Sequence, residues 1–221
     1  NYAPEIDFTE ATSKLKVVVS DGREGKEAIG YMKAYVNMDV ATLNVGSQPL
    51  ANNAHVKYPD AFGMVSLNDL KTYSVDYAIA NEVNAKNVDF KFYCFGASGS
   101  PRLYSMDNTG KDGEFSGSTG KLSAIKVKNL TRFAILSNFD YENATVASIS
   151  SEILSSSIAQ SLLDPIAVGN VIAFRTGGSS AAGGGRIGVM KVINITEPKE
   201  LVSNNATARV MTVEIKFSKK K

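Results

Sequence analysis

The residues with the most evident chemical potential sit in a glycine run near the end of the chain. Gly183-Gly184-Gly185-Arg186-Ile187-Gly188 meets the letter of a G-x-G-x-x-G phosphate loop. Such a loop works only when it opens a helix whose first amides face a pyrophosphate. Here the strand pattern RIGVMKVINI follows, so residues 177–185 are expected to form a mobile hairpin loop. The Lys-Ser/Thr ending of a P-loop is missing as well, and Arg186 alone does not compel an anion. The segment DNTGKDGE at 107–114 has the composition of a calcium loop. EF-hand spacing fails there, because Lys111 falls at a ligand position and the glycine comes early. A series of Asx-type turns is the expectation.

His55 is the single histidine, which excludes multi-histidine zinc centres. A Ser-His-Asp triad would have to use it, yet GASGS at 96–100 misses the G-x-S-x-G elbow by one residue. Acidic residues are scattered, and none is marked as half of a glycosidase pair. Tryptophan is absent. Tyr31 and Tyr35, on one face of a strand pattern, with Tyr58 further on, are therefore the candidate ligand-binding residues. No catalytic, metal-binding or cofactor-binding residue is expected, and no cofactor.

The elements that must position these residues are mostly strands. KLKVVVS places Leu15, Val17 and Val19 on one face, and GYMKAYVNM alternates Met32, Ala34, Val36 and Met38 against Tyr31, Lys33, Tyr35 and Asn37. ATLNV and NAHVKY are weaker strand candidates. Short strands in this density over about sixty residues point to a small immunoglobulin-like sandwich. From Phe62 the character changes. TYSVDYAIANEVNAK sets Val75, Ala78, Ile79 and Val83 at helical spacing behind Ser74 as N-cap. VDFKFYCFG follows as a strand, with Val88, Phe90, Phe92 and Cys94 on its core face. This β-α-β order allows parallel neighbours. Residues 96–120 are loop-rich around a short strand at RLYSM. KLSAIKVKN and RFAILSN read as strands. NATVASISSEIL sets Val146, Ile149, Ile153 and Leu154 on one helical face, and SIAQSLLD continues as a helix or turn up to Asp164-Pro165. VGNVIAFRT, GVMKVINI and VMTVEIKF close the chain as strands. In the last, Met211, Val213, Ile215 and Phe217 should face the core, and Thr212, Glu214 and Lys216 solvent.

Composition is that of an ordinary globular chain: 221 residues, 43% hydrophobic and 21% charged. With 24 basic against 22 acidic side chains, the net charge of +2 gives no reason to expect nucleic acid. Cys94 is the only cysteine, so no internal disulfide can form, and it is expected to be a buried, inert thiol. Four Asn-x-Ser/Thr sequons, at Asn129, Asn143, Asn194 and Asn205, are coincidental in so Asn- and Ser-rich a chain. No apolar run approaches the ~20 residues that span a bilayer. The opening Asn1-Tyr2-Ala3-Pro4 lacks an initiator Met, and suggests a mature form whose targeting segment has been removed. The Lys-rich end is a frayed tail.

KTYSVDYAIANEVNAKNVDFKFYCFG, and VGNVIAFRTGG followed by GRIGVMKVINI, resemble segments of uncharacterised surface lipoproteins of Bacteroidetes-type gut bacteria. The resemblance covers roughly the last two-thirds of the chain. It implies an amino-terminal lipid anchor removed here, an immunoglobulin-like module after it, and a surface location; some relatives are labelled adhesins. It carries over no functional residue.

The expected architecture is thus β-rich α+β: an immunoglobulin-like β module over 1–61 and a mixed α+β domain over 62–221. The expected function is that of a noncatalytic extracellular surface protein, a binding or adhesion module for a glycan or protein ligand. It would meet the membrane only through the removed lipid anchor. Two alternatives stand beside it: a glycan-binding accessory protein of a polysaccharide-uptake system, and a hydrolase with a carboxylate pair in the 96–120 loops.

Overall fold

A computed structural model describes residues 5–7, 13–20, 27–34, 37–53, 55, 57–94, 99–154, 157–196 and 208–219. The described strands form three sheets, antiparallel throughout. The first joins β1 (Glu5–Asp7), β2 (Ser13–Ser20) and β3 (Glu27–Ala34), with Leu15 opposite Met32 and Lys16 opposite Tyr31.

The other two sheets have five strands each. One takes β4 (Met38–Gly46), β9 (Arg132–Leu136), β11 (Val171–Arg175), β12 (Ile187–Ile195) and β13 (Val210–Ser218) in the order β4-β13-β12-β11-β9. The second takes β5 (Met64–Ser66), β6 (Lys71–Tyr73), β7 (Phe90–Tyr93), β8 (Arg102–Ser105) and β10 (Leu162–Leu163) in the order β10-β8-β7-β5-β6.

Period-two alternation explains why these two sheets stack. Met211, Val213, Ile215 and Phe217 of β13 all point inward as expected, beside Leu43, Val45, Ile172, Phe174, Met190 and Val192 of the same sheet. Phe90, Phe92, Cys94, Val65 and Leu103 of the second sheet meet them in the same core. Each fully buried Phe is worth roughly 1.5–3 kcal/mol of transfer free energy. Cys94 is buried as expected, with its thiol donating to the Gly99 carbonyl at 3.2 Å. Val88 belongs instead to the core on the outer side of the second sheet.

Helices and loops cover the outer faces. α1 (Val75–Ala80), α2 (Glu82–Lys86) and residues 115–125 bury Met64, Tyr93, Tyr104 and Met106. α3 (Val146–Glu152) packs with Tyr141 and Ile158 over Ala173, Val189 and Met38. That second cover is why Lys216, expected in solvent, is buried: its Nζ donates to the Tyr141 carbonyl at 2.6 Å and lies 4.2 Å from the Tyr141 ring centre.

Several local expectations need correction. Ser74 does cap α1, accepting from Tyr77 N–H at 3.1 Å. The helix then breaks at Asn81, whose backbone is extended and whose side-chain Oδ1 caps a second helix by accepting from Asn84 N–H at 2.9 Å. Val83 is thereby turned outward and is 76% exposed. α3 is nucleated by a Thr145–Ser148 capping box and ends before Leu154, which is also exposed. Residues 160–163 run extended, as β10 and a bridge to β9, rather than as a helix. KLSAIKVKN holds a 3₁₀ turn at Leu122–Ala124 instead of a strand, and the described residues of NAHVKY form a His55–Tyr58 bridge. α1 and α2 join β6 to β7, which run in the same direction on either side of β5, so the β-α-β connection crosses over the sheet but its parallel strands are separated by β5 rather than adjacent. The 61/62 division expected between modules runs through a sheet, since β4 pairs along its whole length with β13. No helix among the described residues is long and apolar enough to cross a membrane.

The two stacked sheets meet differently at their two sides. On one side the chain stitches them: Gln160 exchanges both main-chain hydrogen bonds with Phe133 of β9, at 2.8 and 3.1 Å, and Ser161 accepts from Ser105 of β8. On the other side the edge strands β4 and β6 run past each other without a ladder, within 8 Å between Cα atoms. That unstitched seam is where the surface becomes concave.

Candidate functional site

A groove of about 380 Å³ lies along the open seam. β4 supplies Thr42, Leu43 and Asn44, β6 supplies Lys71 and Thr72, and the segment between the strands supplies Asp60 and Phe62. Its shape is held by main-chain bonds. Gly46 N–H donates to the Phe62 carbonyl at 3.0 Å, and Phe62 N–H donates to the Thr72 hydroxyl at 3.2 Å. Thr72 in turn donates to the Asp60 carbonyl. The close approach needs a glycine: a Cβ on Gly46 would stand 2.5 Å from the Ala61 carbonyl oxygen.

The polarity of the groove follows from strand geometry. Ser47 N–H bonds the Arg209 carbonyl beside β13, whereas Gly46 N–H points the other way, to Phe62. Alternation along an antiparallel ladder therefore turns the main-chain N–H and C=O of Thr42 and Asn44 away from β13, toward the seam. Among the described residues no group pairs with them. The Asp60 carboxylate and Lys71 ammonium are exposed and make no side-chain hydrogen bond among the described residues. Among the described residues the Asn44 side chain uses its Oδ1 alone, accepting from the Thr212 hydroxyl at 2.9 Å. The half-buried Phe62 adds one apolar wall. A second depression, of about 560 Å³, lies beside β9 and is lined by Ile135, Phe139 and Ile153.

The sequence candidates meet different fates. The acids of the 107–114 segment are each committed to cations. Asp107 accepts two hydrogen bonds from the Arg132 guanidinium, at 2.8 and 2.9 Å. Asp112 pairs with Lys91 at 2.7 Å and Lys128 at 2.8 Å, and Glu114 with Lys111 at 2.7 Å. Lys91 is fully buried, and burial pulls its pKa down despite the Asp112 charge beside it. These pairings are structural. Among the described residues no group of His, Cys, Asp and Glu is placed to hold a metal ion.

The glycine loop is not the free hairpin expected. Ala182 is fully buried in the core between the sheets, Ala181 N–H donates to the Lys86 carbonyl at 2.8 Å, and Ser179 donates to Asn129 at 2.7 Å. Arg186 stacks on Phe217, 4.0 Å from the ring centre, and donates to the Ala182 and Ser218 carbonyls, so its guanidinium serves the loop. His55 is buried, and its Nδ1 accepts from Lys57 N–H at 3.0 Å. Of the candidate tyrosines, Tyr31 lies in β3 and Tyr58 packs on a small cluster with Leu50, Ala61 and Val210. Tyr35 lies outside the described residues.

Sequence reasoning missed two things. One is the groove, whose walls come from residues 42–44 and 60–72 and carry no motif. The other is Asp89, which is fully buried and makes no ion pair among the described residues. It accepts from Leu67 N–H at 2.8 Å, from Asn129 at 3.3 Å and from the Ser180 hydroxyl. Burial pushes its pKa up to about 6, with these donors and the Asp69 charge as smaller influences. Asp89 thus anchors the glycine loop to β5 and β7.

No family model matches the chain, and no curated protein matches it. Among solved structures the chain is similar to the crystal structure of a DUF4466 family protein from Parabacteroides merdae ATCC 43184, at 14% identity and a TM-score of 0.47. The match covers 94% of this chain and 62% of that one, so the chain spans less than two thirds of its neighbour's length. The likeness is a distant one, to a protein of a Bacteroidetes species.

Proposed function

We propose that this chain is a noncatalytic binding or adhesion module, displayed on a bacterial surface, and that the open seam is its ligand contact. The observation that carries the reading is the preformed groove between β4 and β6, with its uncommitted main-chain groups and the exposed Asp60 and Lys71. A concave site with a few convergent polar groups on a rigid frame is the default expectation for a ligand contact. The surface location rests on the resemblance of residues 71–96, 168–178 and 185–195 to bacterial surface lipoproteins. The finer expectation of an immunoglobulin-like module within residues 1–61 is part of this proposal and rests on the short strand patterns of that segment.

The test is a binding measurement on the purified chain against immobilised mucin, microbial polysaccharides and fibronectin. Saturable binding without release of cleaved product is expected, weakened in the double variant Asp60→Ala/Lys71→Ala. Binding untouched by that variant refutes the groove, and product release refutes the noncatalytic reading. Protease treatment of intact cells that leaves the protein whole refutes the surface location.

A further inference from the structure

We infer that the seam groove takes a neutral polyhydroxylated ligand, a sugar ring of a glycan, an inference that rests on the groove being the ligand contact. Three observations carry it. First, the charges in the lining balance. The lining holds one acid, Asp60, and one base, Lys71, whose charge also acts on the neighbouring Asp69, and Thr42, Asn44 and Thr72 are neutral. An anionic ligand would meet the Asp60 carboxylate, and a cationic one the Lys71 ammonium. Second, the free hydrogen-bonding groups are of both kinds. The main-chain N–H groups of Thr42 and Asn44 donate and their carbonyls accept, and the Asn44 amide nitrogen and the Lys71 ammonium donate while the Asp60 carboxylate accepts. A hydroxyl is a donor and an acceptor at once, so a ring bearing several can answer every one of these groups.

Third, the dimensions exclude the obvious competitor for a strand edge. An extended peptide pairs with an edge strand at ~4.8 Å and needs about twice that between two flanking strands. Where β6 approaches β4 to within 8 Å between Cα atoms, a strand paired with both cannot insert. The volume of about 380 Å³ lies at the small end of the ~300–1,000 Å³ usual for ligand sites. A ring lying across the seam can set its apolar face on Phe62 and its hydroxyls on β4 and Asp60.

The test uses the full chain, isotopically labelled, titrated with glucose, galactose, mannose, N-acetylglucosamine and their disaccharides, with glucuronate and tetra-alanine as comparators. Neutral sugars should shift the amide resonances of Thr42, Asn44 and Phe62. Asp60→Ala should weaken the best ligand between roughly tenfold and a hundredfold, the loss of one hydrogen bond to a charged group. Thr42→Pro removes only a seam-facing N–H, which an edge strand tolerates, and should weaken it several-fold. If Thr42→Pro does not fold, Asp60→Ala and the amide shifts still decide the matter. Shifts at these amides from glucuronate or tetra-alanine alone overturn the ligand class and leave the groove standing as a contact. Sugar binding that leaves these amides unmoved and Asp60→Ala at full affinity overturns both. No response to any neutral sugar overturns the class, and the polymer binding above then decides the groove separately.

Discussion

Replacing Asp89 by Asn should make the protein's stability respond to pH in a calculable way. The carboxyl is fully buried, and burial raises its pKa from the ordinary 3.8 to about 6. The native state therefore holds a proton that the unfolded chain releases between those two values. Stability falls wherever the native state binds more protons, so this group's contribution is fully present below pH 3.8 and lost as pH rises through 6. A difference of two units at 1.36 kcal/mol each amounts to about 3 kcal/mol. Asn cannot ionise and has no such term. Its packing and hydrogen-bonding cost in the Leu67–Asn129–Ser180 nest is the same at both pH values and cancels in the comparison. At pH 4 the unfolded carboxyl is already more than half ionised, so the stability of Asp89→Asn minus that of the parent should rise by about 2 kcal/mol between pH 4 and pH 7. Urea denaturation of both proteins at the two pH values measures it, since every other carboxyl is common to both. A difference that stays constant, or moves the other way, would show that the three donors outweigh burial and would refute the reasoning.

Three further outcomes test the architecture. Gly177→Ala should destabilise by about 1–3 kcal/mol, because its Cβ would stand 2.6 Å from the Leu130 nitrogen. Gly178→Ala next to it meets nothing within 4 Å and should be neutral or slightly stabilising; equal melting temperatures for the two would mean the loop is free. Asp112→Ala leaves the buried Lys91 ammonium without its counter-charge and should cost about 3–5 kcal/mol in urea denaturation. A loss below 1 kcal/mol would place Lys91 in water or in its neutral form. Deleting residues 209–221 removes the strand shared by β4 and β12 and should abolish cooperative unfolding, while a chain ending at Lys219 should melt like the parent; a normal melt of the shorter chain would remove β13 from the core.

Local pattern was enough for much of the β architecture. The alternation of Met211, Val213, Ile215 and Phe217, and of Phe90, Phe92 and Cys94, follows from the two-residue period of a strand whose one face is buried, and needs no knowledge of the partner. The Ser74 cap was readable for the same reason, since its hydrogen bond reaches only three residues along the chain. What the sequence could not determine was anything set by a distant neighbour. Lys216 reads as a solvent residue until Tyr141 closes over it, and Ala182 reads as loop until the core accepts it. The break at Asn81 hides inside a helical pattern, because an Asn cap and an Asn on a helix surface look alike. The groove is the extreme case. Thr42, Asn44, Asp60 and Lys71 are ordinary surface residues until β4 joins β13 across more than 160 positions of chain and its other edge is left beside β6. Hydrophobic periodicity specifies which face of each strand is buried; only the assembled sheets decide which edge remains without a partner.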